Sequence, residues 1–349
     1  MDGSGGLTGS ALFIGEDDSV GWHGAVGWHG RGFAFLKRYW QRQAQGLTGL
    51  TRVLSQGTAP MQTVNQLVPL RNAVARLRAD GPLALIPTMG ALHEGHLTLV
   101  REAKRHAAQV AVSIFVNPRQ FGANEDLAAY PRQLERDSAL LEAEGVALLW
   151  APGVEVMYPQ GYATNIAVSG ISEGLCGAAR PGHFDGVATV VCKLFNQVRP
   201  DIALFGEKDW QQLAVIRRMA RDLDLVRPAV DAILGVPTVR EADGLAMSSR
   251  NAYLTPEQRA KAAALPRSMR TAIAAMQAGE PVDAALATLR TELVTGGFSG
   301  VDYAELRDAD SLVPLASLGA QPARLLVAAR IGKARLIDNM AVTAYTQAR

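Results

Sequence analysis

The sequence predicts an α/β protein: a Rossmann-like parallel sheet with helices on both faces, followed by a smaller α+β domain. Three observations carry that reading. Apolar runs "LALIPT", "QVAVSIFVN", "VALLWAP" and "DIALFGE" recur along the chain; segments with helical spacing of apolar residues separate them; and beyond about Thr238 the pattern changes to long helical segments followed by short strands. Continuous apolar strands alternating with helices belong to a sheet buried on both faces.

Residues 1–60 stand apart. They are Gly-Ser-rich, contain the near repeat "VGWHGAVGWHGRG", and sustain neither a helical nor a strand period, so they read as a flexible N-terminal extension. Arg38, Arg42 and Arg52 make a targeting helix conceivable, but the acidic "GEDDS" and the uncharged start oppose it, and a start assigned too early explains the segment better. His23 and His29, in isolated His-Gly pairs, carry no metal-site signature. From Met61 the amphipathic "NQLVPLRNAVARLRADG" opens a first domain, 61–237. Its strands alternate with apolar stripes at Leu97 and Val100, at Leu134, Leu140 and Leu141 before Gly145, at Val187, Val190, Val191, Leu194 and Val198, and at Leu213, Ile216, Ala220 and Leu223, with "AVDAILGVPTV" as the last strand. A smaller domain, 238–349, then contains the helical "PEQRAKAAALPRSMRTAIAAM" and "DAALATLRTELV" and the strand-like "VDYAELRD" and "RLLVAARIGKARLIDNM".

Composition narrows the function. Thirty-five Lys and Arg against 33 Asp and Glu leave a formal charge of +2, so no basic field argues for nucleic acid or an anionic membrane, and small molecules are the expected partners. No apolar run is long enough for a membrane span. Two cysteines, Cys176 and Cys192, suit neither a disulfide framework nor a zinc site; they read as core thiols in a reducing, cytoplasmic setting.

In an open parallel sheet ligands bind beyond the carboxyl ends of the strands, so the polar residues there are the candidates. "PTMGALHEGH" places Met89, Gly90, Ala91, Leu92, His93, Glu94, Gly95 and His96 on a strand-to-helix turn, where backbone N–H groups and the helix dipole attract an anion and Gly95 lets a nucleotide approach closely. Competing motifs fail on spacing. Gly95 is followed by His96 rather than Gly-Lys-Ser/Thr, Gly90 and Gly95 cannot supply G-x-G-x-x-G, and "HEGH" is one residue short of a zinc protease helix. Helix capping by the histidines is the bland alternative.

Later strand ends add to the site. "SIFVNPRQFG" leaves Asn117 and Gln120, neutral groups suited to hydroxyl and carboxylate recognition. "FGEKDWQQ" adds Gly206, Glu207, Lys208, Asp209 and Gln212; the lysine suits charge developing on a phosphoryl group, and Asp209 a ribose hydroxyl. "LAMSSRN" adds Met247, Ser248, Ser249 and Arg250, two hydroxyls and a guanidinium fork that match a polyphosphate. Singly each has a bland reading as a solvated charge, an ion pair or a turn; together, at successive strand ends, they point to one site.

These stretches, with "EDLAAYPR", "GHFDGVATVVCKLFNQVRPDIALFGEKDWQQL" and "MSSRNAYL" in this order, closely resemble the pantoate–β-alanine ligase family from about Met61 onward. "MGALHEGH" is similar to the first nucleotide signature of the adenylyl-transferring superfamily, and "MSSR" to its second. The resemblance implies a two-step ligation. The carboxylate of (R)-pantoate attacks the α-phosphate of ATP to give pantoyl adenylate and pyrophosphate; the amine of β-alanine then attacks the acyl carbon and releases AMP, with Mg2+ accompanying ATP. It further implies that residues 89–96, 206–209, Val239 and 247–250 hold ATP, that His96 stands at the family's catalytic acid and Lys208 at the α-phosphate, and that Gln120 and Gln212 hold pantoate, Gln120 also meeting β-alanine. A homodimer belongs to the same expectation. A nucleotidyltransferase stopping at adenylyl transfer would share the ATP motifs without needing the two glutamines, and a non-catalytic nucleotide sensor is expected to lack His96 or Lys208.

Overall fold

A parallel sheet of six strands forms the larger layer of the computed structural model, which describes residues 60–122, 127–128 and 130–343. The readings made for residues 1–59 lie outside that range. The strands are β1 (Gln62–Val64), β2 (Leu83–Thr88), β3 (Gln109–Ile114), β4 (Leu148–Trp150), β5 (Ile202–Gly206) and β6 (Ile233–Val236), in the spatial order β1-β4-β3-β2-β5-β6. All five pairings are parallel, as the uninterrupted apolar runs require. The three-residue β1 was not foreseen: it lies at the sheet edge and is too short to show a period.

Alternate residues of each strand feed opposite cores. Leu83, Leu85, Ala111, Trp150, Ala203 and Phe205 pack beneath the helices His183–Val198 and Trp210–Asp222. Ala84, Ile86, Val110, Val112, Leu149 and Leu204 face the helices Glu94–His106 and Leu134–Ala143. The period of two along each strand thus fills both faces. Helix His183–Val198 is buried over most of its circumference, which explains its nearly continuous apolar sequence.

The second sheet is antiparallel: β7 (Gly300–Asp308), β8 (Ala323–Ile331) and β9 (Ala334–Val342), in that order. Its apolar face packs on the helices Ala264–Gln277 and Val282–Thr295 around Leu265, Met269, Leu289, Leu325 and Val327. Both sheets lie in one compact unit. Cys176 and Cys192 are buried and free, and among the described residues no helix is long and apolar enough to cross a membrane.

Strand order locates the crevice. β2, β3 and β4 run outward to one side and β5 and β6 to the other, so the direction of winding switches between β2 and β5, and the loops following those two strands diverge to leave a cleft.

Candidate active site

One cavity at that switch point is lined by the carboxyl ends of four strands. Thr88, Met89, His93, Gly95 and His96 follow β2; Gln120 and Phe121 follow β3; Gly206, Lys208, Asp209 and Gln212 follow β5; and Pro237, Thr238 and Val239 follow β6. Met247, Ser248, Ser249 and Arg250 close the remaining side. Of the residues singled out in the sequence, Gly90, Ala91, Leu92, Glu94, Asn117 and Glu207 are not on this wall. Glu94 forms an exposed ion pair with Arg101, and the other five lie behind the wall, where they shape it.

The turn after β2 is tightly specified. Gly90 has φ +83°, and a Cβ there would lie 3.1 Å from Asp137 Oδ2 and 3.2 Å from Ile114 Cγ2, so glycine is required. Ala91 also has a positive φ, +51°. What holds this backbone is Asp137, fully buried on the helix Leu134–Ala143, whose carboxylate accepts from Ala91 N at 2.8 Å and Leu92 N at 2.9 Å. Gly90 N donates to Thr88 Oγ1 at 3.2 Å. Asp137 was missed in the sequence because an acid in the first turn of an amphipathic helix reads as a solvated face.

The two histidines form a reciprocal cap on the helix Glu94–His106. His93 Nδ1 accepts from Gly95 N at 3.2 Å, and His96 Nδ1 accepts from His93 N at 3.3 Å. With both Nδ1 atoms accepting, each ring carries its proton on Nε2. Burial is the first cause that lowers both pKa values. Lys208 lowers that of His93 further; His96 is lowered to about 3, with His93 as the next cause. Both imidazoles are therefore neutral donors at pH 7. A Cβ on Gly95 would lie 2.9 Å from His93 Cε1, so that glycine makes room for the His93 ring, a use the nucleotide-approach argument did not anticipate.

A second correction concerns the anion. The amides of Gly90, Ala91, Leu92, His93, Gly95 and His96 all donate within the protein. These six do not form the open backbone cradle expected at such a turn.

Across the cavity, Gln120 is 8% exposed and held at both ends: Oε1 accepts from Asn117 Nδ2 at 2.9 Å, and Nε2 lies 3.3 Å from Met89 Sδ. Asn117 also donates to Gly186 O at 3.0 Å and accepts from the Tyr158 hydroxyl at 2.8 Å. The 3-10 turn Pro118–Gln120 can sit this close to the helix His183–Val198 because residue 186 is glycine; a Cβ there would lie 2.3 Å from Arg119 O. His183 Nδ1 donates to Gln120 O at 2.8 Å, and Arg180 donates to the same carbonyl at 3.2 Å. Arg180, His183, Phe121 and Tyr130 line the cavity without having been singled out; "ARPGH", a cation and an imidazole just ahead of an apolar helix, was the available signal.

Lys208 and Asp209 lie in the 3-10 turn Glu207–Asp209, with Lys208 Nζ 3.8 Å from Asp209 Oδ1. A Cβ on Gly206 would meet nothing within 4 Å, so the wall is open at that point. Ser248 Oγ accepts from Arg250 N at 3.2 Å, and Ser249 hydrogen-bonds the buried Tyr130 hydroxyl. Neutral imidazole donors, the Lys208 ammonium, the Arg180 and Arg250 guanidiniums and the Ser248 and Ser249 hydroxyls line a single cleft suited to a polyphosphate, together with the carboxamides of Gln120 and Gln212.

Known proteins share this sequence and fold. A family model described as pantoate-beta-alanine ligase matches residues 62–341. A pantothenate synthetase of Novosphingobium aromaticivorans is 69% identical over 283 residues, 81% of this chain and 99% of the relative. One from Sphingopyxis alaskensis is 62% identical over 81% of this chain and 100% of its own. The crystal structure of pantothenate synthetase from Thermus thermophilus superposes with a TM-score of 0.75 at 49% identity, covering 81% of this chain and 100% of that one. A pantoate-beta-alanine ligase from Francisella tularensis, complexed with beta-gamma ATP and beta-alanine, gives 0.68 at 32% identity over 80% of this chain and 97% of its own. The chain belongs to the pantoate–β-alanine ligase family, the ATP-dependent ligases that make pantothenate from pantoate and β-alanine.

Proposed function

We propose that this ligase works through a pantoyl adenylate built in the cavity between β2 and β5. The observation that carries the reading is that phosphate-suited donors and two carboxamides, brought from four strand ends and residues 247–250, share one wall. ATP lies along Met89, His93, Gly95, His96, Gly206, Val239 and 247–250, over the turn shaped by residues 90–92, with the open surface at Gly206 leaving room for it. Pantoate is held by Gln120 and Gln212, whose amides orient a hydroxy acid without a cation that would quench its carboxylate nucleophile. That carboxylate oxygen attacks the α-phosphorus and the bond to the β-phosphate oxygen breaks, releasing pyrophosphate. The uncharged β-alanine nitrogen then attacks the acyl carbon, AMP leaves with the acyl oxygen, and the nitrogen loses a proton.

Lys208 and the Nε2–H of His96 act on charge growing at the α-phosphate during the first step. Magnesium supplies further neutralisation of the triphosphate, and Asp209, the wall carboxylate whose side chain is 44% exposed, fits its habit of binding one or two carboxylates alongside phosphates. Residues 238–349 act as a smaller lid domain over the triphosphate, keeping water from the mixed anhydride. The enzyme is assigned to the cytoplasm and to a homodimer, the latter checked by sedimentation.

The test omits one substrate at a time. With ATP and pantoate alone, pyrophosphate appears as a burst of about one equivalent per site, because the adenylate stays sequestered until an amine arrives. Steady pyrophosphate turnover without β-alanine refutes the sequestered intermediate.

A further inference from the structure

Lys208 lines the cavity with the histidine pair, yet no side-chain cap in its own loop fixes the backbone that carries it. The 3-10 turn Glu207–Asp209 has no side-chain cap of its own, and the helix Trp210–Asp222 that follows also begins without one. The carbonyls of Glu207 and Lys208 are instead taken by a residue more than a hundred positions later. Asn339, 4% exposed on β9, donates from Nδ2 to Glu207 O at 2.9 Å and to Lys208 O at 2.9 Å.

The amide is itself held. Its Oδ1 accepts from Arg324 of β8, whose guanidinium lies 3.3 Å from the Trp210 ring centroid and 3.5 Å from Glu207 Oε2. Its backbone N donates to Asp338 Oδ1 at 2.8 Å. Asp338, with a fully buried side chain, is paired through both oxygens with Arg240 at 2.7 and 2.9 Å, so this stretch of β9 is pinned to the segment following Val239 as well. A buried carboxamide with every polar atom engaged has one orientation only.

We propose that Asn339 is a positioning residue for the adenylation step: its two hydrogen bonds set the pitch of the turn that aims the Lys208 ammonium into the cavity. It is not among the residues lining the cavity between β2 and β5, and it acts through Lys208. The assignment rests on Lys208 acting at the α-phosphate, as proposed above. Its consequence is greatest in adenylation, where charge grows on the α-phosphate oxygens and the departing pyrophosphate together; in the second step only the phosphate of the departing AMP gains charge, so that step is slowed less.

The experiment measures both half-reactions in single turnover: adenylate formation at saturating ATP and pantoate, and AMP release from preformed adenylate on adding β-alanine. Asn339→Ala slows the first by about 10- to 100-fold, the scale of a reacting group misplaced by about 1 Å, slows the second several-fold less, and leaves the pantoate KM within about twofold. Asn339→Asp is nearly isosteric but offers acceptors to two carbonyl oxygens, so it is at least as slow as Asn339→Ala. Asn339→Ser, able to donate to one carbonyl, falls between them and the unsubstituted enzyme, and carries the test if the other two do not fold. Equal slowing of both half-reactions, or a normal adenylation rate in Asn339→Asp or Asn339→Ser, overturns the proposal. Lys208→Ala runs in parallel: a normal adenylation rate there removes the reading of Lys208, whereas a slow Lys208→Ala beside normal Asn339 variants removes only the positioning role.

Discussion

Two arms of the cavity wall proposed to face the triphosphate are held in opposite ways. The loop of residues 89–93 is fixed within its own layer, by one fully buried carboxylate, Asp137, and by Thr88 at the end of the strand it leaves. Residues 247–250 are tied down from a distance. Met247 N donates to Val239 O at 2.9 Å, Asn251 Nδ2 donates to Glu241 Oε1 at 2.9 Å and Ala246 O at 3.1 Å, and Arg259 bridges Glu241 and Asp243 at 2.6 Å each. One buried acid concentrates the restraint in a single group that cannot be lost cheaply, while half-exposed ion pairs spread it over several weak ones. The first arm is thus a preset platform and the second the arm that opens more easily, which suits the part of a site that receives and releases a triphosphate.

The largest effects test whether both arms serve the same step. His96→Ala on the platform and Lys208→Ala opposite it each lower the single-turnover rate of adenylation by about 100-fold or more, the scale of losing one preorganised donor, with little change in pantoate affinity. Quenched-flow measurement of adenylate decides it; a normal rate for either variant detaches that residue from the chemistry. Next comes the platform's own restraint. Asp137→Ala leaves two amides in a positive-φ turn without their acceptor and lowers stability by about 2–4 kcal/mol, read from denaturant titration, with adenylation slowed in the folded fraction. A loss under about 1 kcal/mol would mean the loop holds itself.

Acid sharpens the same contrast, because only the platform carries the imidazoles. The folded pKa of His96 is about 3, lowered first by burial, against 6.5 for the ordinary group, and His93 shifts in the same direction. Between those values the unfolded chain binds a proton that the folded chain refuses, so this contribution to stability is intact above pH 6.5 and is lost as pH falls toward 3. Melting temperature should therefore drop on acidification, and less steeply in His96→Gln; parallel curves for the two proteins would remove His96 as a cause. A smaller effect is expected from Gln212→Ala, which raises the pantoate KM by about tenfold while the rate at saturation stays close to normal, as uniform binding predicts. Smallest is Arg259→Ala on the second arm, about 1 kcal/mol or less in a melt; a loss as large as that from Asp137→Ala would erase the difference between the arms.

How far the sequence could be read follows the same division. "LALIPTMGALHEGH" was legible because strand, turn and helix are contiguous and each glycine or histidine acts within a few residues of its partner. The alternation of strands and helices, and the change of pattern beyond Thr238, follow from short-range periods as well. Asp137 was not legible: its partners lie about 45 positions away, and in "LERDSALLEA" it is one acid among several. Asn339 lies at still greater distance, in a strand whose pattern announces only that it is half buried. Gly186 was not singled out in the sequence, and only the packed structure shows the backbone of Arg119 where its side chain would be.

The amides of residues 90–93 and 95–96 are already engaged within the protein, and that has a dynamic and an evolutionary consequence. Their hydrogens should exchange slowly with solvent deuterium before any nucleotide arrives, and ATP should add little further protection there, unlike a glycine loop that becomes ordered around a phosphate. In the proposed site the anion is met by side chains, so each contact is separately encoded in the gene. Single substitutions can then retune the grip on one phosphate at a time, while the loop beneath keeps its shape.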